Sequence, residues 1–458
     1  MEKRFKQTGM SFLEGIKTSS FFKNTSQIVT GNMIAQILSI IFMPITSRLY
    51  GPIFFGEFGV FNATINLVNG LVCLGLVSAI VSPEDDQEAS AIYKVSLISV
   101  STFAIVMLTL AMLFAPVFQV INVSANYYWI CILMGIFLVV NNWAAMTYVW
   151  GNRQKDYKLL MYNPIIASVV NFVVAYCFGI IGVKSYGLVA GAILSQVAIL
   201  IHLLIRLRPM NFKHSFDDLK HVLTRYKDFP KYQMSSNFLK GVGAQFPILI
   251  MSFYFGTSFV GQYNMGQRLL YLPITIVGGA MGQVHFKQAT DLANSGHDVG
   301  EFTYKVVKAI LIFAIIPLLL FAVFGELIFK FFLGTQWGMA GTIAQIRSYE
   351  FLFTSMMFSA SYILVVLKRQ KMLLVYTVLT LLFNNLVVFI GGRMWANYIV
   401  TVFILSIGSA ILNLLFLLYA FSQTEFGVKK YLKLVLFASV LFLIIAIAGN
   451  YILRGLLI

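Results

Sequence analysis

Apolar runs of twenty or more residues, separated by short clusters of Lys, Arg, Gly and Pro, fill the chain from residue 25 onward. A hydrocarbon core of about 30 Å takes about 20 apolar residues as a helix. Windows of that length predict spans at 25–49, 58–82, 94–118, 126–150, 160–181, 185–206, 232–255, 259–284, 304–333, 339–367, 372–391, 395–421 and 434–453. The runs are continuous, whereas a membrane barrel alternates apolar and polar residues in segments of about ten. The pattern therefore predicts an all-α polytopic membrane protein of thirteen helices.

Composition removes the soluble alternatives. Of 458 residues, 59% are hydrophobic and 11% charged, against about 25% charged in soluble domains. Cys73, Cys131 and Cys177 lie far apart in apolar stretches with no CxxC pair, so neither a disulfide framework nor a metal site is expected. A net charge of +16 would suggest nucleic acid in a soluble protein. In a membrane protein basic residues first fix orientation, and no nucleic-acid partner is expected. Residues 1–23 hold five basic residues ahead of a long apolar run that lacks a small-residue cleavage exit, so the first span is expected to persist.

Lys and Arg in alternate connections give an independent count. With the N-terminus cytoplasmic, inner segments hold 25 and outer ones 5, namely Arg48, Lys184, Lys330, Arg393 and Arg454. That excess on one side supports both the span number and the orientation. Outer connections are short, leaving no room for a separate outer domain. The inner connection 206–231 carries seven basic residues among Phe212, Phe216, Leu219, Val222 and Leu223, which suits either a helix on an anionic leaflet or a solvated linker.

The chain repeats itself. At an offset of 205, Tyr50-Gly51-Pro52-Ile53-Phe54-Phe55-Gly56-Glu57-Phe58 lies over Phe255-Gly256-Thr257-Ser258-Phe259-Val260-Gly261-Gln262-Tyr263. At an offset of 216, Arg153-Gln154-Lys155 lies over Arg369-Gln370-Lys371. Six helices, an even number, precede the second copy, which makes this a parallel repeat about an axis along the membrane normal. The expected layout is a cytoplasmic segment (1–24), an N-lobe of six helices (25–206), a basic hinge (207–231), a C-lobe of six helices (232–421), and a C-terminal segment with a thirteenth helix (422–458).

Ionisable groups inside spans are costly and mark cavities or partners. Arg268 lies about 13 Å below the outer end of its helix at 1.5 Å per residue, deeper than easy snorkelling, so it lines a cavity or an internal ion pair. Arg347 has Glu350 three residues on, and is either neutralised by it or available to substrate. Lys240, about 12 Å from the inner end, faces a cavity or snorkels. Asn62, Asn66 and Asn69 share one helix face, and Asn264, Gln267, Arg268 and Tyr271 form a second polar stripe. Such stripes either bond helices together or line a path for a polar substrate. No HExxH, Walker loop or GxSxG is present, so no catalytic residues, metal or cofactor are expected and the protein is read as a non-enzyme.

Several motifs, in their order, resemble one family. Ser47-Arg48-Leu49-Tyr50-Gly51-Pro52 with Phe55-Gly56-Glu57-Phe58, Gly261-Gln262-Tyr263 with Gln267-Arg268 and Pro273, and Phe324-Gly325-Glu326 with Gly334-Thr335-Gln336-Trp337 and Gly341 are similar to the Wzx-type O-antigen/polysaccharide flippases. These form the polysaccharide-transporter branch of the MOP exporter superfamily. The resemblance implies two MATE-like six-helix lobes that open alternately and carry an undecaprenyl-diphosphate-linked oligosaccharide from the inner to the outer leaflet of the bacterial cytoplasmic membrane. O-antigen, capsule or exopolysaccharide assembly is the implied setting, with a polysaccharide polymerase and a chain-length regulator as implied partners. Arg48 and Arg268 match recurrent family arginines; with Lys240, Arg347, Asn62, Asn66 and Asn264 they make the candidate substrate-binding set. Family members usually have twelve or fourteen spans, from which thirteen departs. A cation-coupled multidrug antiporter would be expected to carry deep acidic residues, and a membrane polymerase or ligase a large outer loop.

The charge count yields a test. Reporter fusions after Lys158, near Lys220 and after Arg369 are expected to read cytoplasmic, and those near Gly256 and Arg393 periplasmic. An inverted pattern would overturn the orientation, and a cytoplasmic reading at Ile458 would remove the last span.

Overall fold

In an apolar medium each backbone N–H and C=O needs an internal partner, which a helix supplies within one segment. The computed structural model, which describes residues 20–113, 127–207 and 213–457, is helical throughout its long elements, with no strand among the described residues. The basic stretch 1–19, the end of the third predicted span (114–118), Arg208 and Phe212 lie outside the described residues. Among the described residues twelve α-helices follow in order: α1 Ser20–Val72, α2 Asp86–Leu113, α3 Tyr127–Arg153, α4 Tyr157–Ile181, α5 Lys184–Arg206, α6 Phe216–Arg225, α7 Ser235–Asn294, α8 Gly300–Leu333, α9 Gly338–Val366, α10 Gln370–Ile390, α11 Tyr398–Ser422 and α12 Val428–Leu457.

Among the described residues, eleven helical runs are long and apolar enough to cross a membrane. Two of them, of 47 residues in α1 and 44 ending in α7, are about twice the length a bilayer core requires. Each is broken once, α1 at Gly51 (φ 69°, ψ 175°) and α7 at Gly256 (φ 82°, ψ 166°). That backbone region is essentially closed to residues with a Cβ. Each long helix thus holds two of the predicted spans as two arms, which accounts for thirteen spans in eleven runs. The loops expected at 50–57 and 256–258 are instead single-glycine breaks.

Two expectations are corrected. The second span, predicted to reach residue 82, leaves the α-helix at Val72 and continues as a 3-10 turn, Leu76–Val81. Leu74 and Gly75 are left-handed there, and Gly75 is pressed against the backbone of Phe229 and Met234, where a Cβ would stand 3.0 Å from each. The second correction concerns the tripeptide match at offset 216. Gln154 N–H donates to Trp150 O, Lys155 N–H to Asn152 O and Asp156 N–H to Gly151 O; Leu367, Lys368 and Arg369 repeat the pattern onto Ile363, Val365 and Leu364. Lys155 and Lys368 are both left-handed. The equivalent turns are therefore 213 residues apart, and the Arg-Gln-Lys similarity is out of register by three.

The described chain divides into two compact units, residues up to Leu49 with Ile65–Leu239, and Tyr50–Thr64 with Lys240–Ile458. In the first, α2 packs on α3, α3 on α5, and α4 on α5. The first arm of α1 lies on α4, where Phe42 stacks on Phe172 at 4.0 Å and Ser39 meets Ser168 at 3.2 Å. In the second, α8 packs on α9, α9 on α11, and α10 on α11. The first arm of α7 lies on α10, with Gly243 over Leu381 and Tyr254 edge-on to Phe389 at 6.0 Å. The same order of pairings thus occurs twice. Burial repeats with it: α4 and α10 leave most of their residues accessible, whereas α5 and α11 bury many more. The additional helix, α12, is fixed to α8 by Asn450, whose Nδ2 donates to Ala322 O at 2.9 Å.

Within the second unit the two copies of the repeat touch. A Cβ on Gly56 would stand 1.7 Å from Thr257 O, and one on Gly261 would stand 2.0 Å from Pro52 O. Gly56 and Gly261 are partners at offset 205, as are Pro52 and Thr257. The contact is therefore isologous, each copy giving the other the same surface, and only glycine permits so close an approach.

Gly56→Leu or Gly261→Leu is accordingly expected to reduce the yield of folded, monodisperse protein sharply. Gly296→Ala, at a positive φ but with nothing within 4 Å of the added Cβ, should cost only about 1 kcal/mol. Normal yield of the leucine variants in membrane extracts would show that the crossing is not required for folding.

Candidate functional site

The second arm of α7 carries Asn264, Gln267, Arg268 and Tyr271 on one face, at i, i+3, i+4 and i+7. Arg268 and Tyr271 are exposed and the two amides half-buried. The packed side holds Tyr263, Gly266, Leu270 and Ile274, all buried. A helix facing lipid shows the opposite distribution, apolar outward and polar inward. The accessible face here is thus a water-facing wall.

Behind it lies a buried charge pair. At Gly266 a Cβ would stand 2.8 Å from Ala340 O, so α9 approaches α7 closely. Arg347, two turns further along α9, then meets Tyr263. Its Nη1 donates to Tyr263 Oη at 2.8 Å, Nε to Glu350 Oε2 at 2.9 Å, and Nη2 to Glu350 Oε1 at 2.7 Å. The guanidinium sits 5.2 Å from the Tyr263 ring and 5.3 Å from the Phe351 ring. The Arg347 and Glu350 side chains are 6% and 9% exposed, so two opposite charges cancel away from water.

Arg268 differs in kind. It has neither a carboxylate nor a hydrogen-bonding partner among the described residues, and it is accessible. One guanidinium on this helix pair is neutralised in packing, and another, on the wall, has no partner among the described residues. Asn264 lies over Gly59, where a Cβ would stand 2.4 Å from its Nδ2. Tyr271 packs edge-on against Phe351 at 4.7 Å while the residue remains 41% exposed.

On α1 the three asparagines separate. Asn69 accepts a 2.7 Å bond from Asn142 Nδ2 on α3, and Cys73 Sγ contacts Asn142 Oδ1 at 3.2 Å. Asn69 is thus helix-to-helix glue. Asn66 is exposed and Asn62 half-buried, and neither has a hydrogen bond among the described residues. Arg48 is exposed at the end of the first arm of α1. Lys240 is exposed on the first arm of α7, separated from Arg268 by the break at Gly256. The structure thus groups Arg268 with Asn264 on one face and Asn62 with Asn66 on another, with Arg347 behind the first. Gln267 and Tyr271 complete that face; their spacing was visible in the sequence, but their exposure was not. No cluster of His, Cys, Asp and Glu able to hold a metal occurs among the described residues.

These features define a multi-pass membrane protein with a polar wall inside its spanning helices. Its fold is that of MOP-superfamily transporters. A multidrug resistance MATE family transporter in an inward-facing conformation is similar with a TM-score of 0.64 and 15% identity, covering 85% of this chain and 93% of that one. The lipid II flippase MurJ, inward closed, is similar with a TM-score of 0.66 and 13% identity, covering 93% and 98%. A MATE transporter in an outward-facing conformation gives 0.53 at 16% identity, covering 87% and 94%. No curated protein matches the chain. The family described as polysaccharide biosynthesis protein matches residues 45–342. The chain belongs to that family.

The charge pair can be tested alone. Removing one partner of a buried pair leaves an uncompensated charge, which costs about 3–5 kcal/mol. Arg347→Met and Glu350→Gln are each expected to lower the thermal unfolding midpoint of the purified protein, and the double variant to lose less than the sum. Additive losses would mean the two side chains do not act as a pair.

Proposed function

We propose that the chain is a flippase that carries a polyprenyl-diphosphate-linked oligosaccharide, of the undecaprenyl type, from the inner to the outer leaflet of the bacterial cytoplasmic membrane by alternating access. The observation that carries this reading is Arg268: a guanidinium left unpaired on a water-facing helix face, in a family of polysaccharide biosynthesis. A diphosphate is the anion such a group fits, because guanidinium is always charged and offers a fork of donors to phosphate oxygens. Around it, Asn264 and Gln267 supply amides for sugar hydroxyls, and the accessible Tyr271 ring offers an apolar face for a sugar ring to lie on. Asn62 and Asn66 on α1 are further candidates for sugar hydroxyls, and the exposed Arg48 and Lys240 further candidate cations, while Arg347 positions the wall through Tyr263. The polymer served, and contacts with a polymerase or chain-length regulator, extend the same reading.

A charge-assisted hydrogen bond contributes about 1.5–3 kcal/mol, so its loss should slow transport about ten- to a hundredfold. In a flippase-null strain, Arg268→Ala is expected to abolish surface polymer at normal protein level, Arg268→Lys to restore part of it, and Arg268→Glu to fail. Lipid-linked intermediate should accumulate in the inner leaflet. Full activity of Arg268→Ala would remove this residue from the site. Raised drug resistance with unchanged polymer would favour the multidrug antiporter.

A further inference from the structure

The linker helix α6 presents a face that nothing among the described residues covers. Its inward side packs on α2: Val222 is 1% exposed, and Leu219 and Tyr226 are half-buried beside it. Polar contacts hold it in that rotation. Arg225 Nη1 meets Glu88 Oε1 at 3.0 Å, Tyr226 Oη donates to the same oxygen at 3.3 Å, and Ser90 Oγ meets His214 Nε2 at 2.9 Å. A capping box, Ser215 with Asp218, fixes where the helix begins.

With the rotation set, the remaining faces are determined. Phe216, Lys220 and Leu223 recur at i, i+4 and i+7, within an arc of about 60° at 3.6 residues per turn, and Lys227 follows two residues past the end of the helix at Arg225. All four are exposed, Phe216 at 81% and Leu223 at 43%. Neither lysine has a carboxylate partner among the described residues. Asp218 falls on the opposite face, Asp217 lies about a quarter-turn from the stripe at 3.6 residues per turn, and Asp228 lies beyond the end of the helix. Two large apolar side chains with a lysine between them and no acid in the stripe itself, and a second lysine just past the helix end, match an interfacial helix whose apolar groups enter the acyl boundary while Lys reaches up to headgroups.

We propose that the stripe Phe216, Lys220 and Leu223, with Lys227 just past it, docks on anionic phospholipid, making the connection between α5 and α7 a headgroup-binding anchor. Charge complementarity selects this occupant: each basic residue near an anionic surface favours binding by about fivefold, and the effect is screened by salt. A soluble protein partner would have to cover a naked phenylalanine with lysine on either side. The proposal rests on α6 and α2 alone, and stands or falls separately from the substrate.

The test places Phe216→Trp in the full-length protein, reconstituted with brominated lipids, and subtracts the emission of the five native tryptophans measured in the unsubstituted protein. Added quenching is expected in phosphatidylglycerol-containing vesicles and less in pure phosphatidylcholine. High salt should lower it in the same protein, and adding Lys220→Glu with Lys227→Glu should remove most of it. Absence of added quenching in every lipid would show that the stripe faces water or protein and would overturn the proposal. Equal quenching in both lipids, insensitive to salt and charge reversal, would overturn the role of anionic headgroups.

Discussion

A polar group placed in hydrocarbon without a partner costs several kcal/mol, and the architecture of this chain follows from how each such group is accommodated. Backbone groups are paired within helices. Side-chain amides such as Asn142 are spent bridging one helix to the next. Arg347 and Glu350 cancel each other in a site nearly closed to water. Against that background an accessible, unpaired Arg268 is informative, because the stretch of α7 that carries it buries its apolar side and shows its polar one.

The duplicated plan gives this wall its setting. Gly51 and Gly256 adopt nearly the same backbone angles, the turns at Lys155 and Lys368 close through the same hydrogen bonds, and the pairings of α2, α3, α4 and α5 recur in α8, α9, α10 and α11. Equal folds have diverged in chemistry. At the positions equivalent to Asn62 and Asn66 the second copy has Gln267 and Tyr271, and the charge pair on α9 supports only that copy. The first copy offers small neutral amides, and the second offers a cation, amides and an aromatic ring.

Much of the fold was legible in the sequence, since a span of twenty apolar residues has few other uses and the glycine motif repeated at a fixed offset. What escaped reading depended on contacts between distant segments. The end of the second span is set by Phe229 and Met234 pressing on Gly75, and the true spacing of the equivalent turns shows only in their hydrogen bonds. Periodicity put Asn62, Asn66 and Asn69 on one face, but only the position of Asn142 separates the structural amide from the accessible ones. For Arg347 the three-residue spacing to Glu350 left two readings open, and neither the Tyr263 contact nor the burial of both charges was visible in that spacing.

The central claim is that the polar wall handles a diphosphate-linked sugar inside the membrane. Its most direct measurement is leaflet transfer by the purified protein in vesicles, using a polyprenyl-diphosphate oligosaccharide labelled on the sugar and a membrane-impermeant reagent that reports which leaflet holds the label. The account predicts transfer well above protein-free vesicles, inhibited by soluble sugar diphosphates and not by neutral sugars. Transfer no faster than in empty vesicles, with the same preparation moving a cationic drug, would contradict it.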